Sequence, residues 1–221
     1  MAKDKASPPN AEKVWQKFKM TRDPRVFEPT LPWVIRPYKR ILGIDLGTNC
    51  GVAFCDFIPG QPITKPLITA GMWDLSLGNY DSGPLRHIRL KQFLAVTKPD
   101  LVTYENVKYD PPADLIASKN MGPGAIVARV ATAAEFLGGL KVTLSTWCEE
   151  NGIPTHGLAI AEIKKFGAGK GNASKVDMIN ACNLKYGTTL NPEEYERSGD
   201  DNIADAIFVC GMGLDAYSEG L

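Results

Sequence analysis

Three carboxylates stand inside or beside apolar segments of the chain: Asp45 within ILGIDLG, Glu105 at the end of LVTYE, and Asp205 within IADAIFV. Burying a lone carboxylate is costly unless it is paired, protonated or bound to a cation. Three such positions predict one shared solution, in which the acids converge on a divalent ion. Magnesium and manganese prefer oxygen donors of this kind. In GDDNIADAIFV, Asp201 lies four residues before Asp205 and Asn202 three before it, so either pair can share a helix face. Plainer readings stand beside these. Asp200 and Asp201 are good helix caps, Asp45 suits a turn, and Glu105 suits a salt bridge at a strand end.

A basic cluster follows in AEIKKFGAGKGNASKVDM, where Lys164, Lys165, Lys170 and Lys175 are threaded by Gly167, Gly169 and Gly171. Glycine-rich loops expose backbone N–H groups, and neighbouring lysines add charge suited to phosphate oxygens. The order of a Walker A loop is absent, and Ser174 is placed to cap the helix that follows. On charge alone this is equally a solvated loop. Beside an acidic site it reads as a grip for an anionic backbone that ions at the carboxylates attack.

These residues need elements to position them. RILGIDLG and GVAFCDF read as a strand, a tight connection and a second strand, with a third near Pro66–Trp73. Gly83–Val96 has helical spacing, LVTYEN reads as an internal fourth strand, and 108–124 is a Pro/Gly-interrupted connection. Ala125–Glu150 holds one long helix or two abutting ones, with Gly138-Gly139 as a candidate kink. IPTHGLAI is a fifth strand, and Lys175–Lys185 and Asn202–Ala216 are helices. If the first and fourth strands are neighbours and the last helix packs across them, the three acids meet.

Composition narrows the class. A chain of 221 residues with 44% hydrophobic residues can build a core, which excludes disorder throughout. No apolar run is long enough to span a bilayer, and the start lacks the apolar segment of a secretory signal. Five cysteines without a CxxC pair, and only two histidines, argue against a zinc site. A soluble protein of a reducing cytoplasm is expected. Residues 1–40 carry ten Lys/Arg against four Asp/Glu, although the whole chain is neutral. With six prolines there as well, residues 1–38 are expected to form a basic arm, and 39–221 a folded domain.

Ile41-Leu-Gly-Ile-Asp45-Leu-Gly, Tyr104-Glu105, the Ile163-Lys164 to Lys175 segment and Asp201-Asn-Ile-Ala-Asp205-Ala resemble, in that order, the RuvC-type Holliday-junction resolvases, especially their phage branch. The resemblance spans about residues 40–217. It implies an α/β, ribonuclease H-like fold: a five-stranded mixed sheet flanked by helices. It also implies an Mg2+-dependent homodimer, with Mn2+ able to substitute, that cuts opposing strands of a four-way DNA junction in the cytoplasm, or in a host's if phage-encoded. Asp45, Glu105 and Asp205 match the family's metal ligands, and Lys164 and Lys175 its DNA-contacting lysines. The family commonly places an acid or histidine three residues before the last aspartate; here Asn202 stands there, with Asp201 one residue earlier. Either Asp201 takes over as fourth ligand and catalytic acid through a shifted turn, or Asn202 fills the position without a charge. On this reading Asp45 bridges two ions, Glu105 holds one, and Asp205 with Asp201 holds the other. Tyr109 and Phe166 are candidates for stacking on opened bases, and Ala125–Trp147 is the candidate dimer face.

Two alternatives remain open. GIDLGTN also looks like the first phosphate loop of the actin, Hsp70 and sugar-kinase superfamily, although those proteins need two such domains and a second phosphate motif. The other alternative is a module that binds branched DNA without cutting it.

Overall fold

The structure, a computed structural model, describes residues 38–61, 66–106 and 123–218. The expected basic arm, apart from Tyr38, lies outside these residues, as does Tyr109. Strands β1 (Lys39–Asp45), β2 (Asn49–Phe57) and β3 (Ile68–Asp74) come first, then helix α1 (Leu85–Thr97) and β4 (Leu101–Glu105). A helix of 28 residues, α2 (Pro123–Glu150), leads to β5 (Thr155–Leu158). The chain continues through α3 (Ile160–Ala168), α4 (Lys175–Tyr186), the single turn α5 (Tyr195–Ser198) and α6 (Asp200–Ser218).

The five strands form one sheet in the order β3-β2-β1-β4-β5. β1 pairs antiparallel with β2 and parallel with β4; β2 pairs antiparallel with β3, and β4 parallel with β5. This is the expected mixed sheet, with the first and fourth strands adjacent. Successive strand residues point to opposite faces, and the two cores divide accordingly. Ile41, Ala53, Cys55 and Leu101 pack with α3, α4 and α6 on one face. Leu42, Ile44, Val52, Phe54, Val102 and Tyr104 pack with α1 and the later part of α2 on the other.

Helix α6 lies against the sheet more closely than side chains would ordinarily permit. A Cβ on Gly43 would stand 2.4 Å from Cys210 N and 2.5 Å from Ala206 O, and one on Gly51 would stand 1.8 Å from Asn202 O. These two glycines form a bare track on which the helix backbone rests. Thr103 fastens the same contact by donating its hydroxyl to Val209 O at 2.9 Å.

At the other end of the sheet, Arg40 is 4% exposed and fully engaged. It donates through Nε and Nη2 to the two carboxylate oxygens of Asp56, each at 2.7 Å, and through Nη1 to Thr97 O at 2.9 Å. Such a two-pronged pair offsets the cost of burying the guanidinium. All five cysteines are buried free thiols. Among the described residues no helix is long and apolar enough to cross a membrane.

Candidate metal centre

Asp45 ends β1 on the α6 face, because Ile41 and Gly43 already point that way and the alternation continues. Glu105 ends β4 on the same face, two residues beyond Thr103, whose hydroxyl reaches α6. The parallel register, with Ile44 opposite Tyr104, brings the two strand ends level. Asp205 arrives from the first turns of α6, which runs from this end of the sheet towards the start of β1. The result matches the sequence expectation: ligand oxygens of Asp45, Glu105 and Asp205 lie within 4.8 Å of one another.

The electrostatics explain why such a cluster needs a cation. Burial, reinforced by Glu105, Asp205 and Asp201, holds the Asp45 carboxyl well above the usual carboxylate range. Burial likewise raises Glu105, opposed by Lys164, and pushes Asp205 up to about 7. Among the described residues no side chain donates a hydrogen bond to any of the three acids. An all-oxygen donor set, desolvated and mutually repelling, fits a hard divalent ion.

A pH dependence follows. Between the ordinary aspartate value of 3.8 and about 7, the folded chain keeps a proton on Asp205 that the unfolded chain has lost, so stability falls as pH rises through that window. With a chelator present, the melting temperature is expected to drop by about 5 °C or more between about pH 5 and about pH 8. Manganese should restore it at the upper end by neutralising the cluster. Calorimetry showing the metal-free chain more stable at the higher pH would contradict this electrostatic picture.

The remaining candidates for the fourth ligand position, Asp201 and Asn202, both have partners within the chain. Asp201 is 7% exposed and accepts a hydrogen bond from Lys175 Nζ at 2.6 Å. Asn202 donates through Nδ2 to Asn49 O at 3.0 Å, tying α6 to β2. Asp200 accepts from Asn191 N at 2.8 Å.

The basic segment differs from the loop that its glycines suggested. Ile160–Ala168 is helical, with Ile163 buried beneath it and Gly169 closing it in the left-handed conformation at φ 76°. Gly167 therefore sits inside the helix, where a Cβ would come within 2.9 Å of the Phe208 ring. Lys164 faces Glu105 and Asp205 electrostatically, while Lys165 is exposed. Lys170 pairs with Asp177 at 2.9 Å, and Ser174 caps α4, accepting from Asp177 N at 3.1 Å. Phe166 meets the Phe208 ring edge-on and has Lys185 Nζ 3.7 Å from its centroid, so it is packed against the protein's own groups. Along α2, Leu140, Leu144 and Cys148 are core residues, whereas Val142 is 63% exposed.

Sequence reading missed one basic group near the site. Lys141 of α2 donates to the side chain of Asn106, the residue after Glu105. Asn106 was visible at the end of LVTYEN; its partner, 35 residues away, carried no local signal.

No protein-family model matches the chain. No curated protein matches it either. Solved structures do. The Thermus thermophilus RuvC structure superposes with a TM-score of 0.55 at 17% identity, covering 82% of this chain and 96% of that one. The same organism's RuvC in complex with a Holliday junction substrate superposes at 0.50 and 18% identity, covering 78% and 90%. With its sheet order, its flanking helices and this likeness over most of its length, the chain has the RuvC-type, ribonuclease H-like fold.

Proposed function

We propose that the chain is a metal-dependent endonuclease that cuts four-way DNA junctions, and related branched DNA, by phosphodiester hydrolysis. The observation that carries this reading is the convergence of Asp45, Glu105 and Asp205 at the end of a RuvC-type sheet, with lysines at its rim. A solved neighbour of this fold is a RuvC bound to a Holliday junction.

In this reading the three acids hold a magnesium ion, or manganese in its place. A bound divalent ion supplies a Lewis acid that lowers the pKa of water and neutralises the leaving oxygen. The chain's own part is positional: β1 and β4 fix Asp45 and Glu105, and α6, seated on Gly43 and Gly51, fixes Asp205. Lys164, Lys165, Lys170 and Lys175 are the proposed phosphate contacts, which would orient a DNA strand without reading its bases; Lys170 and Lys175 also pair with Asp177 and Asp201 within the chain. A junction has approximate two-fold symmetry, and a homodimer presents two equivalent sites to it. Ile88 of α1, 50% exposed, and Val142 leave apolar surface on the helical layer away from α6.

The reading is tested with end-labelled four-way junction, flap and linear duplex, each incubated with magnesium, with manganese or with chelator, beside an assay for ATP hydrolysis. Metal-dependent cleavage of the junction in preference to linear duplex is expected. ATP turnover without DNA cleavage would overturn it, and so would junction binding without cleavage in either metal.

The arm offers a separate check. Residues 1–38 carry eight Lys/Arg against four Asp/Glu. Deleting them is expected to weaken junction binding and to flatten its dependence on salt, because fewer phosphates are neutralised. An unchanged salt slope would remove the arm from the DNA interface.

A further inference from the structure

Asp201, at this end of the sheet, already has a cation. Lys175 Nζ lies 2.6 Å from Asp201 Oδ2, and the Tyr195 ring centroid is 5.4 Å from the same nitrogen. The two partners are unequally exposed: the Asp201 side chain is 9% accessible and that of Lys175 58%. Asp201 is fixed in the first turn of α6, and Lys175 opens α4 directly after its Ser174 cap. The carboxylate therefore cannot move away, whereas the lysine can swing into solvent without disturbing the core. Asp201 lies four residues before Asp205 on α6, and its charge acts on both Asp205 and Asp45.

Building on the reading above, we propose that Lys175 is an internal counter-ion that keeps closed a second divalent-cation position formed by Asp201 and Asp205. At the first position, bounded by Asp45, Glu105 and Asp205, Lys164 acts on Glu105 and Asp205 at a distance, but among the described residues no ammonium is hydrogen-bonded to any of the three acids. At the second, an incoming ion must displace the lysine from Asp201 and is repelled by its charge while it stays. Lys175 is thus a positioning residue: it controls which carboxylates are available to metal. The expected pairing of Asp201 with Asp205 at a second ion is retained, with its condition now named.

The test is a manganese titration of the full chain without DNA, followed by the electron paramagnetic resonance signal of the free ion. The wild type is expected to bind one ion tightly, and Asp45→Asn to lose it. Lys175→Met and Lys175→Gln, both tolerable at an exposed side chain, should gain a second ion with affinity raised roughly tenfold or more. Adding Asp201→Asn to either should remove the gain, and Lys175→Arg, which keeps the charge, should behave as wild type. A second ion bound equally well by the wild type would overturn the proposal, as would Lys175 variants that still bind only one. If the wild type binds manganese no better than Asp45→Asn, the reading of the metal centre itself fails.

Discussion

Asp45→Asn is expected to lower metal-dependent junction cleavage by about 1000-fold or more, because it removes the acid that faces both Glu105 and Asp205. Junction binding, which rests on cationic side chains, should change little. The same substitution is expected to raise the melting temperature of the metal-free protein by several degrees. Asn has nearly the shape of Asp without its charge, so the repulsion from Glu105, Asp205 and Asp201 is relieved. Loss of activity with gain of stability is the signature of a functional acid kept at a structural cost. A structural aspartate would show the reverse: a destabilised variant that still cuts. Gel assays of cleavage and binding, run beside calorimetry in chelator, separate the two outcomes.

Gly51→Ala is expected to be the most damaging of the conservative changes outside the acids. The added methyl would stand 1.8 Å from Asn202 O, a backbone atom that can move only if the start of α6 moves with it. Overpacking of this kind costs about 1–3 kcal/mol or more, which for a chain of this size lowers the melting temperature by roughly 3–10 °C. The displaced turn also carries Asp201 and leads directly into Asp205, so manganese affinity should fall together with stability. Gly138→Ala supplies the control: it lies within α2 with nothing inside 4 Å of the added carbon. There the substitution should stabilise by about 0.5–1 kcal/mol through helix propensity. If Gly51→Ala melted and bound manganese like the wild type, the close seating of α6 on β2 would be wrong.

The strands and the three-acid cluster were legible in the sequence because their signals are local. An acid at the end of an apolar run needs an unusual environment, and period-two alternation decides its face once the neighbouring strands are known. Asp45 and Glu105 shared a face because the parallel register makes their strands end together. The last helix was legible from its apolar run, although it begins at Asp200 rather than Asn202. Helix α3 was not, since Gly167, Gly169 and Gly171 argue for a loop; only Gly169 plays the part of a helix terminator. Gly167 belongs to packing against Phe208, a contact no local pattern announces.

The lysine partner of Asp201 was not legible, for a different reason. Helical spacing correctly placed Asp201 near Asp205, but its partner Lys175 is 26 residues earlier and meets it only because α4 and α6 pack together. Asn202 held the position where the resembled family commonly has an acid or histidine. Its amide is spent on Asn49 O, a use that serves the seating of α6 on β2. Charge pattern thus identified the acidic end of the sheet, while the division of labour among its groups depended on tertiary contacts.

On the proposed function, Asp45, Glu105 and Asp205 enclose a divalent ion. Anomalous diffraction from a crystal equilibrated with manganese measures this directly. A strong peak is predicted in the space these three carboxylates bound, with each acid contributing an oxygen to the ion. A peak elsewhere, or carboxylates paired with protein groups and no ion between them, would contradict the account.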